Sequence, residues 1–326
     1  MRNRFIYCDT FGNPDEVLKI KEQEIDPPEA GEVLVRMLAR PINPSDLIPV
    51  RGSYAHRISL PYIPGYEGVG IVEGVGANVS AELIGKRVLP LRGEGTWQDF
   101  VRAPAKFSVP VPETIDHTNA AQLYINPVTA WVTLTEVLRL QPDSVLLVNA
   151  CGSAIGQLYA QFARILNLRL IAVTRNSKHT QKLLNYGAFE VVDTSSQPLF
   201  EAVMEKTNGK GADAAIDSLG GSAGSDLAGC LRSQGHFLSI GLLSGEQMDW
   251  GAFADKVKMN IFHLRHWNRK ADQEKWQGTF QQIIKLVEKN ELILSSEKAE
   301  YELADIKQAL NSVADSRTGK VILSSS

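Results

Sequence analysis

A stretch of small residues between two apolar runs is the part of the chain best suited to chemistry. Ser144-Val145-Leu146-Leu147-Val148-Asn149 is apolar and rich in branched residues, which predicts a strand. Ala150-Cys151-Gly152-Ser153-Ala154-Ile155-Gly156 follows with little side-chain bulk, and Gln157 to Leu166 places apolar residues at helical spacing. Leu168 to Thr174 is apolar again. A strand that feeds a helix through small residues aims bare backbone N–H groups and the positive helix end at one spot, which suits a pyrophosphate. Ser153, Ala154, Ile155 and Gly156 are therefore candidate phosphate-binding residues. The glycine pattern is incomplete. Counted from Gly152, Ala154 and Gln157 stand where G-x-G-x-x-G has its second and third glycines.

The second strand ends in Thr174-Arg175-Asn176-Ser177-Lys178, with no acid. An Asp or Glu there would accept hydrogen bonds from a ribose 2′-hydroxyl and repel a 2′-phosphate, whereas a guanidinium pairs with that phosphate. Arg175, with Lys178 nearby, therefore predicts NADP(H) as the cofactor rather than NAD(H).

These elements sit in a chain of 326 residues, long enough for two domains. Its 44% hydrophobic and 22% charged residues are ordinary for a globular protein. A net charge of −3 argues against nucleic-acid and membrane-surface partners. No apolar run of about 18 residues predicts a membrane span, and no apolar signal core follows Met1. Cys8, Cys151 and Cys230 are scattered, so neither a disulfide framework nor a structural zinc site is expected, and a reducing, cytoplasmic setting is. The six histidines show no ligand spacing, so no metal is assigned.

The first third reads as β-rich and loop-rich, with short strands over 33–39, 70–76, 86–91 and 98–101 and dense Pro and Gly. Asp116 or Thr118 is placed to cap a helix, and 126–138 has helical spacing. Strands over 144–149, 168–174, 189–193, 213–217 and 235–240 then alternate with helices over 155–166, 177–186, 197–206 and 223–231. That alternation predicts a doubly wound parallel sheet. A polar helix over 272–289, a helix over 303–313 and a strand over 320–323 close the chain.

Several of these stretches resemble the medium-chain dehydrogenase/reductase superfamily. They are Pro64-Gly65-Tyr66-Glu67-Gly68-Val69-Gly70, Gly95-Thr96-Trp97, Asn126-Pro127-Val128-Thr129-Ala130, the turn at 150–156, and Arg317-Thr318-Gly319-Lys320-Val321-Ile322-Leu323. The resemblance implies an α/β protein with three segments: a GroES-like β-rich catalytic domain over 1–117, a Rossmann NADP(H)-binding domain over 118–262, and a C-terminal return over 263–326. Where zinc-dependent members place a Cys and a His, this chain has Asn43 and Tyr66, poor zinc ligands, so it is similar to a zinc-free branch. That branch includes NADPH:quinone reductases and 2-enoyl thioester reductases.

Asn43-Pro44-Ser45-Asp46-Leu47-Ile48-Pro49-Val50-Arg51-Gly52-Ser53-Tyr54 resembles the enoyl reductases, and Tyr54 lands on their catalytic tyrosine. Ile261-Phe262-His263-Leu264-Arg265-His266-Trp267 resembles their acyl-pocket segment and ends on the pocket-lining Trp267. Pro49, Arg51 and His263 depart from that pattern. The resemblance further implies that Asn43 holds nicotinamide or substrate, that Tyr66 fills volume in the substrate pocket, and that Thr129, Gly241 and Lys320 lie near the cofactor. The leading expectation is NADPH-dependent reduction of an activated carbon–carbon double bond, that of a 2-enoyl thioester. Quinone reduction is the alternative, and a non-catalytic NADPH-binding protein the reading from another class. A homodimer is expected by analogy.

Overall fold

A computed structural model describes residues 2–295, 298–314 and 319–325. Arg317 and Thr318 of the closing motif lie outside the described residues. The chain forms two compact units. One comprises Met1–Ile125, Ala271–Glu288 and Leu294–Ser326, the other Asn126–Lys270 and Lys289–Ile293.

In the first unit, Glu32–Pro41 is the central strand. It pairs antiparallel with Val69–Val75, Phe100–Pro104 and Lys320–Ser324. Alternating apolar residues Val33, Val35 and Met37 point into a core with Val72, Val88, Val101 and Ala103. A second core gathers Ile6, Leu47, Val50, Trp97 and Leu310. The expected strand over 98–101 begins later, at Phe100. Gln98 is instead buried, where its carboxamide oxygen accepts a 2.8 Å hydrogen bond from Asn3. Asp116 caps the helix His117–Ala120, accepting from the Asn119 N–H. The helix Gln273–Glu288 is polar outside and buries Trp276, Phe280 and Ile283.

The second unit is built on a six-stranded parallel sheet. Its order is Glu190–Asp193, Arg169–Thr174, Val145–Val148, Ala212–Asp217, Leu231–Ser239, Lys258–Ile261. The chain visits these positions as 3-2-1-4-5-6, the doubly wound order in which a dinucleotide binds beyond the carboxyl ends of the strands where the order reverses. Val145–Val148 is wholly buried, as a central parallel strand requires. Gly187 ends the helix Thr180–Tyr186 at φ +113°, where an L side chain would be strained.

Two elements differ from the sequence pattern. The helix expected over 126–138 is α only over Ile125–Val132 and widens into π-type turns over Thr133–Leu138, ended by Arg139 at φ +49°. There Thr133 donates back to the Thr129 carbonyl and meets the Tyr159 hydroxyl. The strand expected over 235–240 starts four residues earlier, at Leu231, through an irregular segment with Gln234 at φ +61°. Polar Arg232-Ser233-Gln234 hid it.

Candidate active site

The small-residue turn at 150–156 lies at the point where strand order reverses in the second unit. Ser153 caps the helix Ala154–Ile165 by accepting from the Gly156 N–H at 3.2 Å. The first N–H groups of the helix, those of Ala154 and Ile155, have no carbonyl behind them inside it. Gly156 is required by close packing. A Cβ there would lie 2.4 Å from Cys151 Cα and 2.7 Å from the Ala150 oxygen. Gly152 is similarly confined, 2.7 Å from His179 Cδ2. Cys151 is filler beneath the turn. Its thiol donates to the Val148 carbonyl, and burial pushes it up to about 12.

Two residues that sequence reasoning did not single out make the base of this turn rigid. Asn149 donates from Nδ2 to Asp217 at 2.5 Å and accepts from the Ser218 N–H at 2.8 Å. Asp217 also receives the Leu219 and Gly220 N–H groups. The carboxyl ends of two adjacent strands are thereby tied. Gly241 lies beside this knot, where a Cβ would be 3.0 Å from the Ser218 oxygen. Arg175 and Lys178 stand exposed at the end of Arg169–Thr174. Bare backbone, a helix N-terminus and two exposed cations form a donor set that fits an NADP(H) pyrophosphate and 2′-phosphate. Thr129 is buried in the helix Ile125–Val132. Trp267, 7% exposed, donates its indole N–H to Glu136 at 3.1 Å.

In the first unit the structure brings Asn43, Asp46, Glu67 and Lys320 together. Asn43 begins the helix Pro44–Val50, and its backbone N–H donates to the Asp46 carboxylate at 2.7 Å. Asn43 Nδ2 donates to Glu67 Oε1 at 2.7 Å, while its Oδ1 accepts from Lys320 Nζ. The other Glu67 oxygen receives the Tyr124 and Ile125 N–H groups at 3.2 and 2.8 Å. Asp46 Oδ1 accepts from the Tyr66 N–H at 3.1 Å. All four side chains are buried. Burial pushes Asp46 up to about 7 and Glu67 above the usual carboxylate range, and pushes the Lys320 ammonium down. Asp46 and Glu67 were visible in the motif segments but carry no spacing signal of their own.

Tyr54 is half-buried in the turn after that helix, where its carbonyl accepts from the Arg57 and Ile58 N–H groups. The Arg57 guanidinium lies 3.5 Å from its ring centroid. Tyr66 is 37% exposed. Burial raises its phenol, the Tyr62 hydroxyl pulls the other way, and both Tyr54 and Arg57 act on it electrostatically. Tyr66 thus stands beside the buried Asn43–Lys320 cluster, with Tyr54 and Arg57 close to its phenol. They can donate hydrogen bonds to an oxygen that gains negative charge. Among the described residues, no group of three or more His, Cys, Asp or Glu is arranged to hold a metal. Likewise, no helix among them is long and apolar enough to cross a membrane.

Comparison with known proteins agrees with both units. Residues 29–113 match the alcohol dehydrogenase GroES-like domain, and residues 154–288 the zinc-binding dehydrogenase family. The chain is 30% identical over 318 residues to the mitochondrial enoyl-[acyl-carrier-protein] reductase of Mus musculus, a match covering 95% of this chain and 85% of that protein. A solved structure from Bacillus thuringiensis, provisionally described as an NADPH:quinone reductase, is 60% identical, with a TM-score of 0.98 over the whole of both chains. A mycobacterial protein complexed with NADPH is 25% identical, with a TM-score of 0.88 over 99% of this chain and 100% of that one. Since these matches span both units, the chain belongs to the zinc-free branch of the medium-chain dehydrogenase/reductase superfamily.

Proposed function

We propose that this chain is an NADPH-dependent, zinc-independent reductase of an activated carbon–carbon double bond, with a 2-enoyl thioester as substrate. NADPH, when bound, supplies a hydride for the β-carbon. The backbone at Ser153–Gly156 binds the pyrophosphate, and Arg175 with Lys178 selects the 2′-phosphate. As hydride arrives, negative charge builds on the thioester carbonyl oxygen, and a donor placed there lowers the barrier. Tyr54 is that donor. The α-carbon then takes a proton from Tyr54 or from water, which completes the saturated thioester. Tyr66 in the first unit and Trp267 in the second are each candidates for contact with the acyl chain.

The observation that carries this reading is the engagement of Asn43. Its amide is committed at both ends to Glu67 and Lys320, so polarisation of a carbonyl falls to the neighbouring phenols. The relatives described as enoyl reductases support the thioester. The 60% identical Bacillus thuringiensis protein favours a second reading, reduction of a quinone by the same hydride. Incubation with NADPH and crotonyl-CoA, followed by mass spectrometry, tests the first: butyryl-CoA supports it. Hydroquinone formed from benzoquinone, with no butyryl-CoA, supports the second. The exposed sheet-edge strand Lys258–Ile261, with Ile261 59% exposed, supports a homodimer, which light scattering tests.

A further inference from the structure

Resting on the reductase reading, we infer that Lys320 is a positioning residue of the reaction, a buried ammonium that holds Asn43, Glu67 and Asp46 and, through them, the backbone around Tyr66 and Tyr54. Sheet register puts it there. Ile322 pairs with Pro41, and the Ile42 N–H donates to the Val321 carbonyl, so Lys320 falls opposite Asn43. Its ammonium donates to Asn43 Oδ1, which turns Asn43 Nδ2 toward Glu67. Two carboxyl groups and one ammonium then share a closed space, with Lys320 only 7% exposed.

Each member of this cluster holds backbone. Glu67 holds the Tyr124 and Ile125 N–H groups. Asp46 holds the Asn43 N–H at the start of Pro44–Val50 and the Tyr66 N–H. That helix runs directly into the turn that presents Tyr54. The titratable groups facing Asp46 are Glu67, Lys320, Tyr62 and Tyr66. Glu67 raises its proton affinity and Lys320 lowers it. An ionised Asp46 accepts both backbone N–H groups strongly, and a protonated one holds them less well. Lys320 therefore lowers the pH at which Asp46 passes into its holding form. A residue that merely filled space would not set a titration midpoint.

The test is the pH profile of kcat/KM for NADPH oxidation with crotonyl-CoA and with benzoquinone. It compares wild type with Lys320→Met, Lys320→Arg and Asp46→Asn, alongside the NADPH dissociation constant of each. The acid limb of Lys320→Met moves to higher pH by about one unit or more, Lys320→Arg restores it, and Asp46→Asn abolishes it. NADPH affinity stays within about twofold throughout, because the cofactor turn belongs to the other unit. If Lys320→Met does not fold, the Arg and Asn variants decide. Overturning results are an acid limb retained in Asp46→Asn, or a folded Lys320→Met with the wild-type midpoint. A wild type inactive on both substrates contradicts the reductase reading instead. The pH midpoint of thermal stability in the same variants then tests the cluster.

Discussion

Lys320 Nζ donates to Asn43 Oδ1 across 277 residues of chain, and both groups are buried. This bond joins the last strand of the first unit to the start of the helix that leads to Tyr54. Asn43 thus acts as an internal clamp, with its amide oxygen on a cation and its amide nitrogen on a carboxylate.

On the proposed reading, cofactor choice depends on Arg175. Replacing it with alanine removes a charge-assisted contact to a 2′-phosphate worth about 1.5–3 kcal/mol, less some loss to solvent screening. NADPH binding weakens roughly tenfold, while NADH binding changes little. Fluorescence titration of the two cofactors checks this, and equal weakening of both would argue against the assignment.

The turn tolerates no added carbon at Gly156. Gly156→Ala puts a methyl group 2.4 Å from Cys151 Cα, which costs about 1–3 kcal/mol of stability and displaces the N–H groups assigned in the proposed reading to the pyrophosphate. Thermal unfolding shows a lowered midpoint, and NADPH raises that midpoint less than in wild type.

The pH dependence of stability reports on Asp46. Burial raises its folded-state pKa to about 7, against an ordinary value of 3.8. The folded state therefore keeps a proton that the unfolded chain releases. The stability this provides is fully present below about pH 4 and is lost as pH rises through about 7. Glu67, also raised by burial, acts in the same direction. Asp46→Asn, neutral at every pH, flattens the decline between pH 4 and 7 in a series of thermal melts.

The dinucleotide-binding unit was legible because its signals are local. The apolar run at 144–149, the small residues at 150–156 and the acid-free end at Arg175 each act within a few residues of themselves. The start of Leu231–Ser239 was not legible, because Arg232-Ser233-Gln234 reads as a loop until strand pairing claims it. The widened turns at Thr133–Leu138 were hidden for a related reason, since π-type and α turns share nearly the same apolar spacing. Tyr54 and Asn43 were singled out through motif resemblance, which gave no sign of the partners of Asn43. Joining Lys320 to Asn43 requires the register of Lys320–Ser324 on Glu32–Pro41, which no local pattern encodes. The knot of Asn149 and Asp217 likewise joins residues 68 positions apart.

The most direct measurement of the central claim compares wild type with Tyr54→Phe in NADPH oxidation driven by crotonyl-CoA and by benzoquinone. Loss of a donor to a developing oxyanion costs roughly 10²–10³-fold in kcat. Turnover of crotonyl-CoA is predicted to fall by about that factor, with NADPH affinity unchanged and benzoquinone reduction little affected. Crotonyl-CoA turnover that survives Tyr54→Phe intact, or that is absent from the wild type, would contradict the account.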